Sequence, residues 1–150
     1  MAGLRLAFAG GNAEMIEALN LIQDHLFVGI FPALQEAGIA ALLDPKSEEA
    51  VAQLNAVYDS RRDAFVQVAA NIGWQAFPSR GSFYAWMPVP KGYTSESFAD
   101  LLLEKAHVAV APGKGFGPAG DAYVRIGLLV EPERLVEAVN RIADLHLFNN

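Results

Sequence analysis

From Tyr123 to Val130 the side chains alternate without a break. Val124, Ile126, Leu128 and Val130 fall on one side, and Tyr123, Arg125, Gly127 and Leu129 on the other. A sustained period of two admits a strand with one aliphatic face, which needs a paired neighbour and a layer to bury that face against. Just upstream, Val108–Ala111 is a second short apolar run, and the loop between them carries four glycines and two prolines. The pattern predicts strand, irregular loop, strand, with the pair antiparallel because the connection is short. Arg125 sits mid-strand, beside an aromatic and a glycine, opposite the aliphatic face. Two readings stand side by side. It is a charge on the wet face of a half-buried sheet, or a rigid guanidinium fork that grips a carboxylate or phosphate bidentately.

The totals narrow the class. With 150 residues, 53% of them apolar and 19% charged, the chain has the composition of one packed domain, or of one domain with an appended piece. A net charge of −6 without a basic patch argues against nucleic acid or an acidic membrane surface as partner. The absence of cysteine removes disulfides, thiolate nucleophiles and cysteine-bound metals, and makes the cytoplasm the expected compartment. His25, His107 and His146 are far apart and show no ligand spacing, so no metal site is expected. No window has the length of a membrane span, and the first residues lack a basic segment followed by an apolar one.

Along the chain, Leu4–Ala9 is predicted as an apolar strand ended by Gly10-Gly11-Asn12. Beginning inside such a strand suggests a chain cut from a longer one. Asn12 caps a predicted helix through Leu26. Phe27–Leu43 is nearly all apolar and interrupted at Pro32 and Gly38. It is a buried, broken helix or a surface awaiting a partner. Val51, Leu54, Tyr58, Phe65, Val68 and Ile72 then recur at helical steps, broken at Arg61 and ended by Gly73. They predict one helix of about 37 Å. Trp74–Phe77 and Ser82–Val89 read as two strands joined by the turn Pro78-Ser79-Arg80-Gly81, with Pro88 marking an edge or bulge. Thr94 or Ser95 starts a helix to about His107, and Pro132 opens a last amphipathic helix. The fold class that follows is α+β: a two-layer sandwich whose small, mostly antiparallel sheet has helices packed mainly on one face.

Three of these segments, in this order, resemble the C-terminal part of the pyridoxal-phosphate-dependent aminotransferases of fold type I, classes I and II. Gly3-Leu4-Arg5-Leu6-Ala7 looks like the family's segment just after the lysine that forms the Schiff base, with Leu4 and Ala7 departing from its usual residues. PSRGSFYAWMPVP looks like its proline–glycine–aromatic hairpin, and APGKGFGPAGDAYVRIGLL like its closing motif. The resemblance implies that residues 1–12 are a remnant strand of the large cofactor-binding domain and 13–150 the small domain. It implies that Arg5 binds the phosphate of pyridoxal 5'-phosphate and Arg125 the substrate carboxylate. Gly113-Lys114-Gly115 would line the active-site entrance, with no role assigned to Lys114.

The same resemblance places the catalytic lysine upstream of Met1, since none of Lys46, Lys91, Lys105 or Lys114 has a matching context. The implied whole is an aminotransferase moving an amino group between an amino acid and a 2-oxo acid. This chain alone would be inactive and would not hold the cofactor. β-Lyases and decarboxylating synthases share the scaffold. Two other readings remain open: a non-catalytic module binding a small carboxylate through Arg125, and an interaction module using Phe27–Leu43. The apolar surfaces at Leu4–Ala9 and Phe27–Leu43 predict a homodimer or a self-associating chain.

Overall fold

The computed structural model describes residues 2–77 and 79–148. The chain divides into two compact units, one up to Ala52 and one from Gln53 on.

In the first unit Ala2–Leu4 forms a single 3₁₀ turn. Helix α1 (Ala13–Ile22) starts as predicted at Asn12, whose side chain accepts a hydrogen bond from the Met15 N–H at 3.2 Å. Its last turn widens over Gln23–Phe27 and stops at Val28, which has φ +57°. Helix α2 (Pro32–Leu43) opens on its proline and runs unbroken through Gly38. A Cβ at Gly38 would stand 2.4 Å from the Leu6 side chain, so here the missing side chain admits a neighbour and does not break the helix. Neither helix buries a residue. The predicted strand Leu4–Ala9 does not form. A strand is stable only when a neighbour takes up its amides and carbonyls, and no described segment pairs with this one. Arg5, at φ +52°, breaks the extended backbone as well.

Helix α3 (Ser47–Asn71) is the single long helix its period predicts, and it carries the chain from the first unit into the second. Its buried residues are Phe65 and Ala69, both in the second unit. The helix ends with Gly73 at φ +82°. There the Trp74 N–H reaches the Ala69 carbonyl and the Gly73 N–H that of Ala70, the paired bonds of a left-handed helix cap. This cap explains a second departure. Trp74–Phe77 is not a strand, because Trp74 spends its N–H on the helix end and its indole N–H on the Pro88 carbonyl at 2.8 Å. Of the turn predicted to follow, Pro78 lies outside the described residues.

The sheet has three strands: β1 (Tyr84–Pro88), β2 (Ala111–Pro112) and β3 (Tyr123–Gly127), in the order β1-β3-β2 and antiparallel throughout. β3 is therefore the inner strand, as its alternation predicts. β2 pairs with it across the glycine loop, although only Ala111 of the expected run joins the ladder. Pro88 closes the edge strand β1, where a missing N–H costs nothing. Helix α4 (Ser95–Leu101) begins at Thr94 with reciprocal Thr94–Ser97 hydrogen bonds, and α5 (Pro132–Ala143) opens on its proline.

One face of the sheet supplies Ala85, Met87, Val124 and Ile126. Against it pack Phe65 and Ala69 of α3, Phe98 and Ala99 of α4, and Leu135, Val139 and Ile142 of α5, with Trp74 among them. This is the α+β sandwich expected from the sequence. Burying each such large side chain contributes about 1.5–3 kcal/mol, so the aliphatic half of β3 fixes where its other half points.

Candidate functional site

Because strand side chains alternate, locking Val124 and Ile126 into the core turns Tyr123, Arg125 and Gly127 to the open face. In register, Arg125 stands opposite Trp86 of β1 on one side and Ala111 of β2 on the other. Its guanidinium carbon lies 4.1 Å from the Tyr84 ring centroid and 4.0 Å from that of Phe116. Trp86 stands edge-on to Phe116 and to Tyr123. Among the described residues no carboxylate forms an ion pair with Arg125. Beside it opens a cavity of about 290 Å³ lined by Tyr84, Ala109, Val110, Ala111, Arg125, Gly127 and Leu129. Arg125 is the only charged residue in that lining. A half-buried cation against apolar walls attracts an anion more strongly than one in open water, because less solvent screens the pair.

The loop that delivers Phe116 is tightly closed. Gly113 and Gly120 meet back to back: a Cβ on Gly113 would stand 2.1 Å from the Gly120 carbonyl oxygen, and one on Gly120 would stand 2.0 Å from that of Gly113. Gly117, at φ +122°, makes the reversal between the loop's two short 3₁₀ turns, Gly113–Phe116 and Pro118–Ala122. The fully buried Ser95 at the start of α4 then ties the loop down. Its hydroxyl donates to Asp121 Oδ1 at 2.7 Å, its N–H donates to the same oxygen at 3.2 Å, and its Oγ accepts from the Lys114 N–H at 3.3 Å. These bonds from Ser95, the side-chain one first, hold the Asp121 carboxyl below the usual carboxylate range. Lys114 pairs with Glu96 at 2.8 Å, and chiefly that hydrogen bond raises its ammonium above the usual lysine value. Lys114, with no expected role, is thus an outer strut of the loop.

Arg5 is exposed in the first unit and makes no ion pair among the described residues. A permanently charged guanidinium without an ion pair has donors to offer an anion. No group of three His, Cys, Asp or Glu that could hold a metal ion occurs among the described residues, and none of their helices is long and apolar enough to cross a membrane.

Sequence reasoning singled out Arg125 as a candidate and did not place Tyr84 and Phe116 beside it. Tyr84 was legible as a member of the open face, two residues before Trp86. Phe116 carried no signal, because its place depends on how the glycine loop folds. The Ser95–Asp121 tether joins residues 26 apart in sequence, a pairing that no local pattern encodes.

Comparison with known proteins identifies the family. Residues 1–142 match the family model described as aminotransferase class I and II. The chain is 57% identical over 148 residues to the L-glutamine--4-(methylsulfanyl)-2-oxobutanoate aminotransferase of Bacillus subtilis (strain 168), an alignment covering 99% of this chain and 37% of that protein. It is 46% identical over 142 residues to the LL-diaminopimelate aminotransferase of Moorella thermoacetica, covering 95% of this chain and 36% of that one. Substrate-bound BacF from Bacillus subtilis superimposes with a TM-score of 0.90 at 43% identity, covering 100% of this chain and 38% of that one. The chain therefore spans little more than a third of the length of the relatives it matches.

Proposed function

The chain belongs to the class I and II aminotransferases, and we propose that it is the C-terminal, small-domain portion of an enzyme moving an amino group between an amino acid and a 2-oxo acid. In this reading residues 1–12 contribute to the large cofactor-binding domain, and 13–150 form the small domain. Arg5 contacts the phosphate of pyridoxal phosphate, and Arg125 grips the substrate carboxylate. The lysine that carries the cofactor lies outside this chain, since none of its four lysines has the matching context. When bound, pyridoxal phosphate supplies the electron sink through which the amino group is exchanged.

The observation that carries this reading is Arg125 itself. It is a guanidinium without an ion-pair partner among the described residues, held on the open face of a strand whose other face is locked in the core, with a cavity beside it. Its planar fork donates N–H bonds to both oxygens of a carboxylate and so fixes the position and rotation of the carbon next to it. Tyr84, Ala109, Val110, Ala111 and Leu129 line the cavity beside that fork. Holding the carbon in place turns an encounter into a positioned reaction.

The test is substitution of Arg125 in the intact enzyme. Charge-assisted hydrogen bonds contribute about 1.5–3 kcal/mol each, so Arg125→Ala loses about a hundredfold or more in kcat/KM. Arg125→Lys recovers part of the loss, because an ammonium keeps the charge without the fork. The unfolding midpoint changes little, since Val124 and Ile126 are untouched. Unchanged kcat/KM in Arg125→Ala would sink the reading.

A further inference from the structure

The two rings at Arg125 have a role of their own. An arginine side chain has four rotatable bonds, and on an open sheet face it would sweep a wide volume. Here Tyr84 and Phe116 stand at 4.1 and 4.0 Å from its guanidinium carbon, both inside the range of cation–π attraction. A guanidinium lying flat against a ring keeps its N–H donors free at its edge, because those donors lie in its plane. The rings come from opposite sides of the fold's construction, Tyr84 from edge strand β1 and Phe116 from the glycine loop. Each is held in turn: Tyr84 contacts Phe83, which stacks on Tyr58 of α3, and Phe116 rests edge-on against Trp86. Phe116 is half exposed, so a substitution there leaves the buried core intact.

We infer that Tyr84 and Phe116 are positioning residues that clamp the Arg125 guanidinium between them, so that its edge alone meets the ligand and a planar carboxylate lying in that plane is the group it selects. The inference rests on the reading of Arg125 as the carboxylate clamp. The rings hold the fork in its bound orientation before the ligand arrives, which lowers the ordering cost of binding. The ring does this work and the Tyr84 hydroxyl does not, because no Arg125 N–H donates to that hydroxyl and the contact is to the centroid.

The experiment uses the intact enzyme, with 2-oxobutanoate as probe and butan-2-one as the uncharged control, and measures Kd by calorimetry. Tyr84→Leu and Phe116→Leu each weaken 2-oxobutanoate about tenfold while leaving the butan-2-one response as in wild type. Tyr84→Phe and Phe116→Tyr recover most of the affinity, because they restore a ring. In the NMR spectrum of wild type, the Arg125 Nε–H proton is shifted upfield by the rings, and the shift shrinks in each leucine variant. Wild-type affinity in both leucine variants overturns the inference, as does a Tyr84→Phe variant as weak as Tyr84→Leu. If the leucine variants fail to fold, the wild-type proton decides: a position typical of a free arginine overturns the clamp. Arg125→Ala separates the two claims. If it binds 2-oxobutanoate as tightly as wild type, the carboxylate reading of Arg125 falls, and this inference with it. If it binds weakly while both leucine variants bind normally, only the role of the rings falls.

Discussion

At the scale of single residues, the sharpest contrast lies between two glycines two positions apart. A Cβ at Gly113 would stand within 2.1–2.8 Å of the Gly120 carbonyl, the Tyr123 carbonyl and the Trp86 ring, whereas one at Gly115 meets nothing within 4 Å. Gly113→Ala must therefore push the loop off the sheet, and Gly115→Ala must not. Urea unfolding is expected to show a large loss of midpoint for the first and a change within about 0.5 kcal/mol for the second. Equal effects would mean the loop is not closed as described. Asp121 gives a pH signature of defined sign. Its carboxyl is held low by Ser95, so its contribution is complete above the usual carboxylate range and is lost as pH falls through the lower folded-state value. Asp121→Asn never makes that contribution. The stability curves of the two proteins should differ at neutral pH and converge in acid, and parallel curves would refute the tether. Arg125 was legible because a charge interrupts one face of a strict alternation. Phe116 was not, because its position follows from a contact between two glycines that have no side chains to leave a pattern.

Among the elements, legibility follows how far each structure depends on distant parts. Helix starts at Asn12, Thr94 and Pro132 and the whole of α3 are local chemistry, a capping side chain or a sustained period, and they formed where the pattern placed them. Strands depend on neighbours. The apolar run Leu4–Ala9 found no ladder, and Trp74–Phe77 lost its part in one because Trp74 closes α3. Among the described residues edge strand β1 consequently pairs only with β3, which joins distant segments by register, as Trp86 opposite Arg125 illustrates. The face each helix buries is testable in the same way. Phe98 of α4 is wholly buried beside Trp74, and Leu103, just beyond α4, is more than half exposed. Phe98→Ala should cost about 3–5 kcal/mol and Leu103→Ala within about 0.5 kcal/mol, read from chemical unfolding. A reversed order would show that the helix is rotated.

For the whole molecule, the two units differ in kind. The second carries the entire buried core, while no described residue up to Ala52 is buried and Phe8, Leu26, Val28, Leu42 and Leu43 stand largely exposed. Apolar surface on that scale draws chains together, so sedimentation of the isolated 150-residue chain should show concentration-dependent association. A clean monomer at high micromolar concentration would contradict this. Hydrogen exchange should be fast throughout the first unit and slowest in β3, which is paired on both sides. The position of β3 also ties accuracy of folding to accuracy of recognition. Slipping that strand by one residue would drive the arginine into the apolar layer and bring Val124 out, a change no core tolerates. A molecule with that strand slipped is therefore lost as unfolded protein, and a variant library sorted only for solubility would already be sorted for the face on which Arg125 stands.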